Sequence, residues 1–457
     1  LSIRRQRQMC IRDRFKPLQE KDTEKINDII SVLGFLYKKI GIFIFIAALI
    51  ISGFLPFIFK ETIIPIGIIY FAFFSILFSS LCSYFINYKQ ILLTADQKNY
   101  LVTKYLQSAL LLKTIIQIII AYTLQNYYLW IALEIIAATL SCVLLNWKIN
   151  KEYTWLKVSI SRGKEAYPKN MQIITHTKQI FIHKFKDFLL SQSDQILIFA
   201  FVSLKMVAYY GNYTLITAKI SQIFLTAIDG FSASIGNLVA EGDKNKIMKI
   251  FWEVYCINSF IASFLVFALY HLLEPFIFLW LGEEYILEHT ILILLLINIF
   301  IMETRKTVDM FNGAYGLFAD TWAAWTEGSI NIIVTIIAAL HWGIIGILLG
   351  KIVSLFFIIV LWKPIYLFKV GLHEKISIYW KGVLKYLIVF IVSFLIIHIF
   401  TTILPINPKS SFIDWILYAT ITIPLFSIIY IYGLYLLCPG VKSLLQRIPF
   451  INKYIKP

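Results

Sequence analysis

Long apolar runs with few or no charges constrain this chain more than anything else in it. Ile42–Phe59, Ile63–Ile86, Leu106–Leu124 and Ile291–Met302 are such runs. A helix of ~20 apolar residues crosses the ~30 Å hydrocarbon layer of a bilayer. Across 457 residues the sequence is 59% hydrophobic and only 15% charged. A soluble domain has about 25% charged residues. Such a chain cannot clothe itself in polar surface, and only helices or closed barrels satisfy the backbone in lipid. The expected class is therefore an all-α, polytopic membrane protein.

Twelve spans are expected, at about 41–59, 62–87, 106–124, 127–147, 180–204, 207–238, 250–270, 286–317, 320–341, 343–368, 382–404 and 412–437. The segments 207–238 and 286–317 exceed the bilayer and should tilt or project from it. Before the first span, Asp22–Lys39 alternates charged and apolar residues at helical spacing, which predicts a helix lying on the membrane face. Net charge is +16. The basic residues lie between the apolar runs, which is a topology pattern rather than a nucleic-acid surface. With the N-terminus inside, the outward segments hold only Lys60, Lys205 and Lys409 of 42 Lys and Arg, and 271–288 is acidic. Both ends are thus expected in the cytoplasm. The polar loop Lys148–Ile180 separates four spans from eight and suits a linker between two bundles.

No Walker loop, GxSxG, HExxH or paired His–Cys spacing is present, so an enzyme, a metal site or an ATP motor is not expected. Cys10, Cys82, Cys142, Cys256 and Cys438 are scattered and are expected to be reduced apolar fillers. The seven histidines are scattered too and are expected to be packed or interfacial.

Charges within spans are costly and mark cavities or partners. Lys113, Lys219, Arg305, Lys306 and Lys351 are the cationic set. Lining a cavity, they would attract a diphosphate, which Arg grips bidentately. Arg305 and Asp309 are four apart and could equally pair on one helix face. Lys219 and Lys351 have no acid three or four residues away. Asp194, Asp229 and Glu134 are candidates for ion coupling, because burial disfavours a charged carboxylate. The alternative is a hydrogen bond that fixes helix packing.

Several segments resemble a known family. FKPLQEKDTEKINDIISVLGFLYKKIG and FLPFIFK resemble the cytoplasmic helix and third span of bacterial polysaccharide flippases. LLTADQKNYLVTKY resembles their loop after the fourth span, and SDQILIFAFVSLKMVAYYGNYTLI their seventh and eighth spans. FIFLWLGEEYIL and NIIVTIIAALHWGIIGILLGKIVS continue the likeness, in order, to about residue 437. This is the O-antigen-type branch of the multidrug/oligosaccharidyl-lipid/polysaccharide exporter superfamily. The resemblance implies two pseudo-symmetric bundles plus a C-terminal helix pair. It divides the chain into an N-lobe over 15–150, a cytoplasmic linker over 151–180, a C-lobe over 181–370 and a final pair with tail over 371–457. The match begins at the family's third span, and Leu1–Arg14 resembles translated adapter sequence. A foreign start and the loss of two spans are therefore expected.

By resemblance the cargo is an oligosaccharide on an undecaprenyl diphosphate carrier, moved across the bacterial cytoplasmic membrane by alternating access for lipopolysaccharide or other surface polysaccharide assembly. No cofactor or nucleic acid is implied. Membrane lipid, glycan polymerase and glycosyltransferases are the implied partners. The competing expectations are a cation-coupled multidrug exporter, a peptidoglycan-precursor flippase, and a membrane glycosyltransferase or polymerase.

Overall fold

A computed structural model describes residues 22–60, 64–96, 98–168, 194–229 and 231–447. Leu1–Arg14 lies outside them. Among the described residues every regular element is a helix, and eight helices are long and apolar enough to cross a membrane. The chain is thus an all-α, multi-pass membrane protein. It forms two compact units, one ending at His176 and the other beginning at Thr177.

The first unit contains α1 (Thr23–Ser52), α2 (Leu55–Ile58), α3 (Ile66–Phe85), α4 (Gln90–Ala95), α5 (Asn99–Thr123), α6 (Tyr127–Glu152) and α7 (Ile160–Ala166). The expected surface helix and first span are one element, α1. Asp22 caps it by accepting from the Lys25 amide at 3.0 Å. No proline interrupts it, and its two internal glycines serve close contacts: Gly34 lies under Tyr88 and Gly41 under Phe85. The start of the expected linker is a strap on α1. Asn27 Oδ1 accepts from the Lys157 amide at 2.8 Å. Arg162 pairs with Asp28 at 2.6 Å and Glu24 at 2.5 Å. Beside the strap, Asp96 accepts from Tyr153 Oη at 2.7 Å and pairs with Lys98 at 2.9 Å. Burial pushes the Asp96 carboxyl upward, but these two donors outweigh it and hold it below its usual range.

The second unit contains α8 (Leu204–Asp229), α9 (Phe231–Glu241), α10 (Lys244–Leu281), α11 (His289–Thr304), α12 (Lys306–Ala314), α13 (Thr321–Leu355), α14 (Lys363–Tyr366), α15 (Ile376–Ile403), α16 (Phe412–Leu437) and α17 (Val441–Gln446). A further helical stretch covers 194–201, and the rest of the expected span 180–204 lies outside the described residues. One expected long span is broken, 286–317 at Arg305 between α11 and α12; the expected span 207–238 covers α8 and α9, on either side of position 230, which lies outside the described residues. The ninth and tenth spans form one hydrogen-bonded run, Thr321–Leu372, folded at Gly343, whose φ of +52° favours glycine.

Lipid tails are as apolar as leucine, so close fit rather than the hydrophobic effect holds such helices together. The spine α10 packs Phe251 and Phe267 against Phe311, Phe368 and Phe426. Phe267 and Phe426 stack with centroids 4.1 Å apart, and Ser263 bonds the Tyr430 hydroxyl at 2.9 Å. The fold at Gly343 closes through glycine. A Cβ on Gly350 would lie 2.6 Å from the Thr335 amide nitrogen and 2.7 Å from its Cα, whereas one on Gly328 would meet nothing within 4 Å.

Gly350→Ala should therefore destabilise the protein by ~1–3 kcal/mol through overpacking. Gly328→Ala should be neutral or stabilising by up to ~1 kcal/mol. Thermal unfolding in detergent compares the two, and equal midpoints would contradict the packing described.

Candidate functional site

Each candidate charge is set by the helix that carries it. Lys113 on α5 reaches Glu134 on α6 at 2.6 Å. The two helices are joined by the turn at Gln125–Asn126, where Asn126 caps α6 by accepting from the Leu129 amide. That turn brings positions 21 residues apart level with each other. Lys351 on α13 donates to Asp194 Oδ2 at 2.7 Å. Tyr210 on α8 donates to the same oxygen at 3.5 Å, and Asp194 is 5% exposed. Arg305 Nε pairs with Asp309 at 2.7 Å within a helix turn, and its Nη1 lies 3.6 Å from Met302 sulfur. Lys306 pairs with buried Glu303, three residues before it.

Four of the five cationic candidates are thus each joined to an acid. The expected set of open cations narrows accordingly, and two of the three coupling candidates, Asp194 and Glu134, are the partners of lysines. A bare charge in hydrocarbon is costly, and pairing removes most of that cost. The Asp229 side chain lies outside the described residues; its backbone belongs to α8.

Lys219 differs. It is exposed on α8 and makes no ion pair with a described residue. Ala208, Asn212, Leu215, Lys219 and Gln222 follow one another at spacings of four and three, so they share one helix face. Leu215, Lys219 and Gln222 are exposed and Asn212 is half-buried. The opposite face is buried through Tyr210, Tyr213 and Thr217, with Tyr213 Oη accepting from the Leu287 amide at 3.0 Å. α8 is not among the eight helices long and apolar enough to cross a membrane; at membrane depth, a helix face that presents Asn and Lys favours water or a polar ligand over acyl chains. The face can offer cationic and amide donors to phosphate or sugar oxygens.

Sequence reasoning missed a further charged site. Asp320 is 3% exposed; it accepts from Lys363 Nζ at 2.8 Å and Trp362 Nε1 at 3.0 Å. Both charges flank expected spans, at the start of 320–341 and within 343–368, so a signal existed in the antiparallel order of those spans. His271, 9% exposed, contacts the Tyr418 hydroxyl at 2.9 Å. Among the described residues no group of three or more His, Cys, Asp or Glu gathers to hold a metal.

Neither protein-family profiles nor curated protein sequences give a match. Solved structures do. A lipid II flippase, MurJ, in an inward closed conformation superposes with a TM-score of 0.56 at 17% identity, over 95% of this chain and 90% of that one. A mutant of the Vibrio cholerae MATE transporter VcmN superposes with a TM-score of 0.52 at 14% identity, over 81% of this chain and 85% of that one. This chain shares their fold.

The Lys351–Asp194 pair gives a direct test of its role. Lys351→Met leaves a buried carboxylate uncompensated and should cost ~3–5 kcal/mol. Adding Asp194→Leu should recover most of the loss. Unfolding of both variants in one detergent measures the coupling, and a neutral single substitution would contradict the pairing.

Proposed function

We propose that this chain translocates an oligosaccharide carried on undecaprenyl diphosphate across the bacterial cytoplasmic membrane by alternating access, for surface polysaccharide assembly. The observation that carries the proposal is the polar open face of α8, with Lys219 at its centre. An ammonium there meets a phosphate oxygen, while Asn212 and Gln222 suit phosphate or sugar hydroxyls. The resemblance of the sequence segments to polysaccharide flippases supports the oligosaccharide, and the shared fold with a lipid II flippase supports a lipid-linked cargo.

In this account the paired lysines hold helices in register rather than grip cargo. An ion coupled at Asp194 or Glu134 must displace Lys351 or Lys113 from its carboxylate. A single cation on the polar face disfavours the cationic drugs of a multidrug exporter. A peptidoglycan precursor shares the diphosphate carrier, and the extent of the fold likeness to the lipid II flippase favours it as the second reading.

Lys219→Glu should reduce surface glycan by about 10- to 100-fold, the worth of one charge-assisted hydrogen bond. Lys219→Arg should retain export. The assay is glycan display in cells whose own polysaccharide flippase is deleted, with the full chain expressed from a plasmid. Normal display with Lys219→Glu would remove Lys219 from the site. Rescue of cells depleted of their lipid II flippase, without glycan display, would select the second reading.

A further inference from the structure

One end of the second unit carries Lys363, Lys369, Lys375, Lys381, Lys385, Lys442 and Arg447, and the other carries Glu274, Glu283, Glu284 and Glu288. The elements at the basic end are fixed by contact. Trp252 near the start of α10 lies over Gly382 near the start of α15, and Tyr386 donates to the Pro439 carbonyl at 2.5 Å just after α16. At this end α14, a π-helical turn Leu367–Leu372 and the start of α15 make an elbow. The elbow borders a shallow, open hollow of about 620 Å³ lined by Ile365, Lys369, His373, Glu374, Lys375 and Ile376.

The hollow is built for an anion with an apolar neighbour. Lys369 and His373 are four residues apart on the wound segment and both are exposed. His373 then adopts φ +56°, and the Glu374 amide donates back to the Phe368 carbonyl at 2.9 Å. This reversal places Lys375 on the same hollow. Among the described residues neither Lys369 nor Lys375 has an ion-pair partner, whereas Lys363 in the same elbow is committed to Asp320. Glu374 is the one carboxylate in the lining. The 28-residue α15 begins here without a side-chain cap, which adds the positive end of its dipole. Ile365 and Ile376 wall the hollow, and Ile378 is exposed beside it.

We propose that this elbow binds the phosphate of an anionic glycerophospholipid in the leaflet that the basic end faces. By the positive-inside rule that leaflet is cytoplasmic, where anionic headgroups draw juxtamembrane lysines. A free phosphate ion satisfies the lysines but leaves the isoleucine walls without a partner. A lipid engages both. The proposal stands independently of the transported cargo.

The test uses the full chain in detergent and titrates mixed micelles of phosphatidylglycerol, phosphatidylcholine alone, or inorganic phosphate while following thermal unfolding. Phosphatidylglycerol should raise the midpoint, and Lys369→Gln with Lys375→Gln should weaken its apparent affinity about tenfold. Lys381→Gln, which removes a charge from the same helix outside the hollow, should leave the titration unchanged. A double variant that titrates like the wild type overturns the proposal. So does an equal loss with Lys381→Gln, or a midpoint shift that inorganic phosphate produces as fully as the lipid.

Discussion

A charge in hydrocarbon must find an opposite charge or water, and the second unit is organised by that requirement. Lys351 reaches across 157 residues of sequence to Asp194, and Lys363 reaches back to Asp320 at the other end of the folded pair of spans. Each bond fixes height and rotation at once, because a helix that slid by one turn would leave two buried charges unmatched. Arg305–Asp309 and Lys306–Glu303 do the same work locally, where α11 gives way to α12. With these charges neutralised, the lipid-facing surfaces can remain largely apolar, as exposed Ile388, Leu395 and Ile399 on α15 and Ile413, Ile416 and Ile428 on α16 are. An exposed lysine on α8, Lys219, with no ion pair to any described residue, then stands apart and calls for water or a ligand.

Close fit supplies the rest of the cohesion. Gly350 lets the two arms that meet at Gly343 touch at Thr335, and Gly382 admits the Trp252 ring. Stacked and edge-on rings fill the space around α10, with Tyr430 satisfied by Ser263. Charge pairs choose the register and small residues permit the approach.

Much of the architecture was legible in the sequence because hydrocarbon imposes a coarse rule on composition. Helix length and apolarity place α3, α5, α6, α15 and α16 close to the expected spans. Local pairing was legible as well: Arg305 and Asp309 are one turn apart. The Lys351–Asp194 bond was not, since no local spacing connects residues that the fold joins from distant helices. The continuity of α1 was missed because charge marks where a helix leaves the membrane without marking where it stops. The break at Arg305 carries no proline, so length alone suggested a long continuous span there. Lys219 was singled out for lacking an acid at helical spacing, and in the structure it lies exposed among Asn212, Leu215 and Gln222.

The central claim is that this face of α8 borders water and not acyl chains. Single cysteines at Asn212, Lys219 and Gln222, introduced after the native cysteines are replaced, can be exposed to a membrane-impermeant thiol reagent in vesicles. A cysteine at Ile388, exposed on α15, serves as the lipid-facing reference. The account predicts modification at all three α8 positions and protection at Ile388. Protection at all four would place α8 against lipid and contradict it.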